Sequence, residues 1–354
     1  MTLAAFSSLI SCQNTMKEKQ YSWDASVCTP KNYPAEIFSG HLIFGDNPKS
    51  GYVYMPFDRI INSDNLGDND GSSSGQAEGI SPKMLDITWL SYTENKSYSG
   101  IFKLDSDKIE SLMINGSEKP YWDKETKKIG IVKDFYFSIN AGLFPGGIIV
   151  LYVWSPSNMN IVGKYQAHED DNVNWEMAHP SMKGKAGIKD YVDYMNEDLP
   201  QEILDQIKNG TIPFGYWETL FREYNLTPQV KAEDKVETIL INYINGEFES
   251  IFLSLNENVM PIKKRAIPRK VNIVWHDIND RRMESDVFFD EKKSKSIFEN
   301  LKDGEAITFV IDIDRNTKPR ETKGISIKLK TSSREINMQE AIVSQESFTK
   351  SKPY

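Results

Sequence analysis

The chain has 354 residues, 26 % of them charged and 39 % hydrophobic, with a formal net charge of −9. That length is long for one domain and comfortable for two, and the acidic balance argues against nucleic acid as a partner. No run of about 18 uncharged apolar residues occurs, so no spanning helix is expected; one free cysteine and scattered histidines cannot assemble a four-ligand zinc site, and no cofactor is expected.

The first element is an address. Met1 to Ser11 are apolar or small and uncharged, and polar Gln13-Asn14-Thr15 and charged Lys17-Glu18-Lys19 follow. A short apolar core ending in small residues is what a secretory signal needs. Leu9-Ile10-Ser11-Cys12 resembles the bacterial lipobox. The resemblance implies a signal peptide over 1–11, acylation of Cys12 as the lipid attachment site, and a lipidated tether over 12–36. The apolar core is short and lacks a preceding Lys or Arg, which a start codon placed too late would explain. The competing reading is a buried N-terminal strand or helix turn. Gln13 is not an aspartate, so the resemblance implies no retention at the inner membrane. The expected location is the cell envelope, with several acyl chains holding the protein to the outer membrane. With Cys12 lipidated, Cys28 has no disulfide partner.

The body of the chain contains a repeat. Residues 81–116 and 267–304 each place a proline (Pro82, Pro268) seven residues before a tryptophan (Trp89, Trp275), and a phenylalanine (Phe102, Phe288) thirteen after it. Leu85, Ile87 and Trp89 alternate with Asp86 and Thr88, the period of a strand with one buried face. Turns are expected at Glu94-Asn95-Lys96 and Asn279-Asp280-Arg281. A helix follows in each copy, capped by Ser106 or Asp290, with apolar pairs Ile109 and Leu112 or Ile297 and Leu301, closed by Gly116 or Gly304. Upstream, 41–57 and 239–255 read as hairpins, the second with Asn245-Gly246 at its tip. Downstream, Phe135 to Ile139 pairs with Ile148 to Val153, and Ile307 to Ile313 with Ile325 to Leu329. The alternative is coincidence among common elements.

The expected fold class is α+β, with two related, mainly antiparallel sheet units, each carrying one packed helix, joined by a short-helix connector. The units span 37–155 and 237–332, the connector 156–236, and the C-terminal tail 333–354. Residues 62–79 of the first unit have little to bury and read as a mobile insertion.

In the connector, Ile188, Tyr191, Val192 and Met195 fall at helical spacing, as do Trp217, Leu220, Phe221 and Tyr224. Between them a short helix runs from Pro200 to Ile207 and stops at Asn209-Gly210. "IPFGYWETLFREYN" (212–225), "LFPGGIIVLYVW" (143–154), the following "KYQAHE" and the Trp89 hairpin resemble an uncharacterised family of bacterial lipoproteins, the domain of unknown function family twenty-nine thirty-one, over residues 80–230. The resemblance implies an envelope lipoprotein, and an immunity role where relatives accompany secreted antibacterial lipases.

Catalytic and metal patterns are weak throughout. Gly71-Ser72-Ser73-Ser74-Gly75 matches a serine-hydrolase elbow by letters, but it lacks the strand and helix the elbow needs. Asp68, Asp70 and Gly71 suggest a calcium loop, yet both anchoring positions, Leu66 and Ala77, lack carboxylates. His168, Glu169, Asp170, Asp171 and His179 are the densest group of metal-ligand types, without a metal spacing. Asp312 and Asp314 share a strand face and could pair as acid and base. The basic run 263–270 reads as an exposed linker or a phospholipid contact. The leading expectation is a non-enzymatic envelope protein that binds another macromolecule, with a protein partner and no catalytic or metal residues. The alternative is an envelope hydrolase or glycan-binding enzyme built on carboxylates.

Overall fold

The computed structural model describes residues 21–47, 49–67, 72–123, 125–126, 128–175, 188–231, 236–251, 263–314, 324–338 and 341–346. Cys12, His179, Asp68, Asp70 and Gly71 lie outside the described residues. The fold is α+β and mainly antiparallel.

The first unit runs through β1 (Ser22–Cys28), β2 (Ala35–Ile43), β3 (Tyr52–Tyr54), β4 (Ile60–Ile61) and β5 (Ser73–Glu78). The hairpin β6 (Met84–Ser91) and β7 (Lys96–Lys103) follows, then helix α1 (Ser106–Asn115) and the ribbon β8 (Ser117–Asp123) and β9 (Lys128–Asp134). The unit closes with β10 (Ser138–Phe144), β11 (Ile148–Trp154), β12 (Asn158–Gln166) and β13 (His168–Glu169). Among the described residues three helices come next, α2 (Ile188–Asn196), α3 (Gln201–Asn209) and α4 (Phe214–Leu220). The second unit contains β14 (Tyr224–Lys231), β15 (Val236–Tyr243), β16 (Phe248–Ile251), β17 (Lys263–Arg265), β18 (Pro268–His276) and β19 (Arg282–Phe288). It continues with α5 (Glu291–Glu299), β20 (Ala306–Ile313), β21 (Ile325–Lys330), β22 (Glu335–Asn337) and β23 (Ala341–Glu346).

The strand orders of the two units coincide. In the first, β13-β7-β6-β2-β3 form one sheet and β5-β1-β10-β11-β12 a second array. In the second, β23-β19-β18-β15-β16 and β17-β14-β20-β21-β22 repeat both orders position for position. Each unit also has one parallel pair, β1 with β10 and β14 with β20. Only β4, β8 and β9 lack counterparts among the described residues. Each unit is therefore two sheets sharing a core. In the first, Trp23, Ile139 and Leu151 of one sheet meet Ile37, Leu85 and Trp89 of the other, and α1 adds Ile109 and Met113. In the second, Val271 and Trp275 meet Phe309 and Ile327, and α5 adds Phe298.

The units join at a sheet edge. Asn158 and Met159 of β12 pair with Glu249 and Phe248 of β16, which makes one ten-stranded sheet of an array from each unit. The approach beside this seam is close enough to require glycine. Gly67 and Gly246 have φ of 87° and 90°, and a Cβ on Gly67 would lie 2.4 Å from Met159 Cε and 2.8 Å from the Gly246 carbonyl. The Asn140 amide donates to the Gly67 carbonyl at 2.7 Å, and the Tyr152 hydroxyl donates to the Asn245 carbonyl at 2.9 Å.

Several boundaries differ from the expectations above, each because a segment finds a strand partner. Residues 22–36 are not tether, since β1 sits between β10 and β5. The insertion is not wholly a mobile loop, since 73–78 forms β5. Neither end of the expected connector is helical, because β12 and β13 belong to the first unit and β14 opens the second. Tyr224 belongs to that strand and not to a helix. The C-terminal segment 333–354 contributes β22 and β23. Residues 263–270 are not an exposed linker: Arg265 is buried and bonded to Glu249 at 2.5 Å, and Lys270 pairs with Asp286 at 3.0 Å.

Helix ends also shift. Asp105, not Ser106, caps α1 and accepts from Lys108 N, while Asp290 caps α5 as expected. Gly116 ends α1, but α5 stops at Asn300, four residues before Gly304. The shared Trp-to-Phe spacing is coincidental. Phe102 faces Leu85 across its hairpin and Phe288 faces Lys270, because the second hairpin is one residue tighter. The counterpart of Phe102 is Val287, opposite Val271. Val287 is fully buried and Phe288 is 40 % exposed. Val287→Ala should therefore cost about 2 kcal/mol in urea unfolding, whereas Phe288→Ala should stay within about 1 kcal/mol; the reverse order would show that the register is wrong.

Candidate functional site

The sequence-derived candidates do not come together. Ser73 lies on edge strand β5 opposite Ser26, with no strand-to-helix elbow to strain it. Asp312 on β20 and Asp314 just past its end are both exposed. His168 and Glu169 form β13 against β7. Glu169 binds Lys96 at 2.7 Å, and Asp170 accepts from the Ser99 hydroxyl at 2.7 Å and from Asn172 N at 3.0 Å. These acids are consumed in holding a strand and a turn, and no metal-ligating cluster occurs among the described residues.

The four phrases that carry the family resemblance converge instead on the turn at 144–147. Gly146 and Gly147 have φ of 80° and 79°. A Cβ on Gly147 would lie 2.7 Å from Tyr98 and 3.0 Å from the Ala167 carbonyl. Glu94, in the turn after Trp89, accepts from Gly146 N with both oxygens at 3.1 Å and from the Tyr98 hydroxyl at 2.6 Å. Gln166 donates to the Gly146 carbonyl at 2.7 Å, and Ala167 N to the Gly147 carbonyl at 2.8 Å. Phe144 meets Trp217 and Phe221 edge-on, at 5.9 and 5.7 Å.

Trp217 links this turn to a groove of about 960 Å³ between the two units, within the size range of ligand sites. One wall is built from Lys31, Tyr33 and 64–66 of the first unit, the other from Arg269 and α5 of the second, and α3 and α4 complete it. Pro213 ahead of α4 turns its aromatic residues toward the seam. Tyr33 packs edge-on against Trp217 at 4.8 Å and donates to Gln206 at 2.7 Å. The Tyr216 hydroxyl donates to the Glu291 carboxylate. The Lys295 ammonium sits 4.0 Å over the Tyr216 ring and donates to the Thr219 hydroxyl at 2.7 Å. Burial raises the Glu291 pKa, and Lys295 partly offsets this. Arg269 bonds Asn65 at 2.9 Å across the groove.

Four cations, Lys31, Arg269, Lys292 and Lys295, face four acids, Asp64, Glu202, Glu291 and Glu299, around this aromatic floor. Such a lining favours a ligand with apolar and charged groups side by side. Trp217 is 4 % exposed, and its Nε1 donor is buried with no acceptor among the described residues. The sequence reading placed the Trp217 face in the core, which is right for most of the ring. It missed the groove, because Arg269 and Glu291 reach Tyr33 only after the units join.

A second titratable cluster lies at the far end of β18. The His276 imidazole and the Arg282 guanidinium each take one oxygen of Glu237, at 2.7 and 3.0 Å. The Glu237 hydrogen bond raises the His276 pKa despite burial. Burial pushes Glu237 upward, but its bonds to His276 and Arg282 hold it below the usual carboxylate range.

The sequence model of a family described as "Protein of unknown function (DUF2931)" matches residues 11–215, more than half of the chain. No curated protein and no solved structure matches the chain. The match covers the first unit, α2, α3 and the first residues of α4, and stops before Tyr216, Arg269 and α5.

Two outcomes follow from these geometries. Trp217→Ala should cost 3–5 kcal/mol, roughly the usual penalty for a buried aromatic, whereas Trp217→Phe should cost less than about 1.5 kcal/mol because no internal bond to Nε1 is lost; denaturant titration distinguishes them. The His276 pKa is raised in the folded chain, so its stabilisation is complete below the unfolded value of about 6.5 and is lost as pH rises through the folded value. His276→Gln should flatten that decline in a stability-against-pH series.

Proposed function

The chain belongs to the DUF2931 family, and from that premise we propose that it is a lipid-anchored cell-envelope protein that binds another protein in the groove between its two units. The observation that carries the binding reading is the groove itself. Its mixed charges and aromatic floor suit a protein segment.

The anchoring reading rests on Leu9-Ile10-Ser11-Cys12. Acylation at Cys12 would leave the body tethered and not inserted, which accords with no helix among the described residues being long and apolar enough to cross a membrane. The narrower form of the reading is immunity to a secreted lipase toxin, the toxin being the partner. The carboxylate-enzyme alternative draws nothing from Asp312 and Asp314, neither of which lines the groove.

The first experiment is affinity purification of the tagged, lipidated protein from its own host, with mass spectrometry of what accompanies it. A stoichiometric protein partner is expected, and reversing the rim charge with Lys292→Glu should slow its association. Cys12→Ala should move the protein out of the membrane fraction without changing partner binding in solution. A preparation with no protein partner would overturn the binding reading, and a Cys12→Ala chain that still sediments with membranes would overturn the anchoring one. If cells lacking the gene resist every neighbouring toxin, the immunity form fails alone.

A further inference from the structure

The joint between the units is heterologous, because the outer edge of β12 in the first unit meets the outer edge of β16 in the second. The strand orders repeat, so β22 stands where β12 stands and β3 stands where β16 stands. Among the described residues, neither β22 nor β3 pairs with a strand on its outer side.

The correspondence reaches individual atoms. The turn before β12 closes with Ser155 N donating to the Asn158 carbonyl at 2.8 Å, and the turn before β22 with Thr331 N donating to Arg334 at 2.9 Å. In both, the first hydroxyl accepts from the amide two residues on, Ser157 N at 3.4 Å and Ser333 N at 3.3 Å. Ser333 therefore occupies the place of Ser157. On the receiving edge, Phe44 N bonds the Gly51 carbonyl and Met55 N the Gly40 carbonyl. Bonded pairs alternate along an antiparallel ladder, so Val53 bonds toward β2, and the backbone groups of Tyr52 and Tyr54 point outward. By the same rule, the Tyr243 N bond to Glu247 leaves Phe248 and Ser250 pointing outward from β16. Ser250 N uses that direction to donate to the Ser157 carbonyl at 2.8 Å. Tyr54 is the counterpart of Ser250, and Tyr52 of Phe248.

The exposed edge is also apolar. Tyr52, Tyr54 and Phe57 are 43, 48 and 47 % exposed, and His41 packs against both tyrosines at 4.7 and 5.1 Å. Unpaired edges and exposed apolar clusters are where strands add. On the β5 side, the Ser74 hydroxyl donates to the Tyr54 carbonyl at 2.6 Å and Gly75 approaches the Val53 side chain.

We propose that the chain binds a second copy of itself head to tail, β22 of one copy extending the sheet at β3 of the next, with the Tyr54 amide donating to the Ser333 carbonyl of the next copy. A heterologous contact leaves the same two edges open after each addition, so it builds a ring or a filament and not a closed pair. Within one chain the joint gains from covalent linkage and from the Tyr152 and Asn140 bonds, so the contact between chains is weaker and depends on concentration.

The test uses the full-length chain carrying both Tyr54→Cys and Ser333→Cys. A bonded antiparallel pair places its Cα atoms about 5.5 Å apart, inside disulfide range; Cys28 is fully buried, and Cys12→Ala in every variant removes the other native thiol. Mild oxidation of the double variant should give a ladder of linked copies or a covalent ring, and each single variant no more than a dimer. In parallel, the chain without these substitutions should sediment as concentration-dependent oligomers. Tyr54→Pro, which an edge strand tolerates, should return it to monomer with its circular dichroism unchanged. No ladder from a folded double variant, monomer at every concentration, or assembly indifferent to Tyr54→Pro would each overturn the proposal.

Discussion

The pairing of β12 with β16 is the contact on which the rest of the molecule depends. A strand edge presents unpaired amides and carbonyls, and here each unit satisfies one edge of the other, so two separate cores share a continuous ten-stranded sheet. The pairing itself is short, two residues on each strand. The Gly67–Gly246 approach and the Tyr152 and Asn140 bonds reinforce it. The groove follows from this joint, since Tyr33 and Arg269 stand on opposite units and face each other only when the sheet is continuous.

The second constraint is the turn at 144–147. Glu94, Gln166 and Ala167 saturate its backbone, and the aromatic residues of α4 and its C-terminal end pack against Phe144. That explains why phrases far apart in the chain form a recognisable set: they are parts of one contact and not a catalytic signature. The match to the family ends at residue 215, so it takes in this turn and one wall of the groove. The opposite wall belongs to the second copy.

The duplication gives the protein two different ends. Identical strand orders joined head to tail place an aromatic edge, Tyr52 and Tyr54, at one end and a short polar edge, Glu335 and Asn337, at the other. Among the described residues the insertions β4, β8 and β9 occur only in the first unit, so the copies are free to diverge in loops while their sheets keep one pattern. The two cores also differ. The first is closed on itself, whereas the second extends through Trp217, Tyr33 and α3 into the seam.

The amino-acid sequence by itself determined the repeat, the hairpins around Trp89 and Trp275, most of the three connector helices and the Asp290 cap. These depend on local periodicity, turn residues and caps, which act over a few neighbouring positions. It also supplied the one residue, Cys12, on which the proposed anchoring rests. Tertiary structure decided the rest. β1, β5, β22 and β23 are short or polar segments that become strands only because an edge is waiting for them, so composition alone read them as tether, loop or tail. The Phe102 and Phe288 spacing was misleading because cross-strand register is set by turn length, and one residue fewer in the second hairpin moves the partner from Leu85 to Lys270. The groove was not legible at all, because it is lined by residues up to 269 positions apart, Pro30 and Glu299, which only the pairing of one copy with the other brings to the same place.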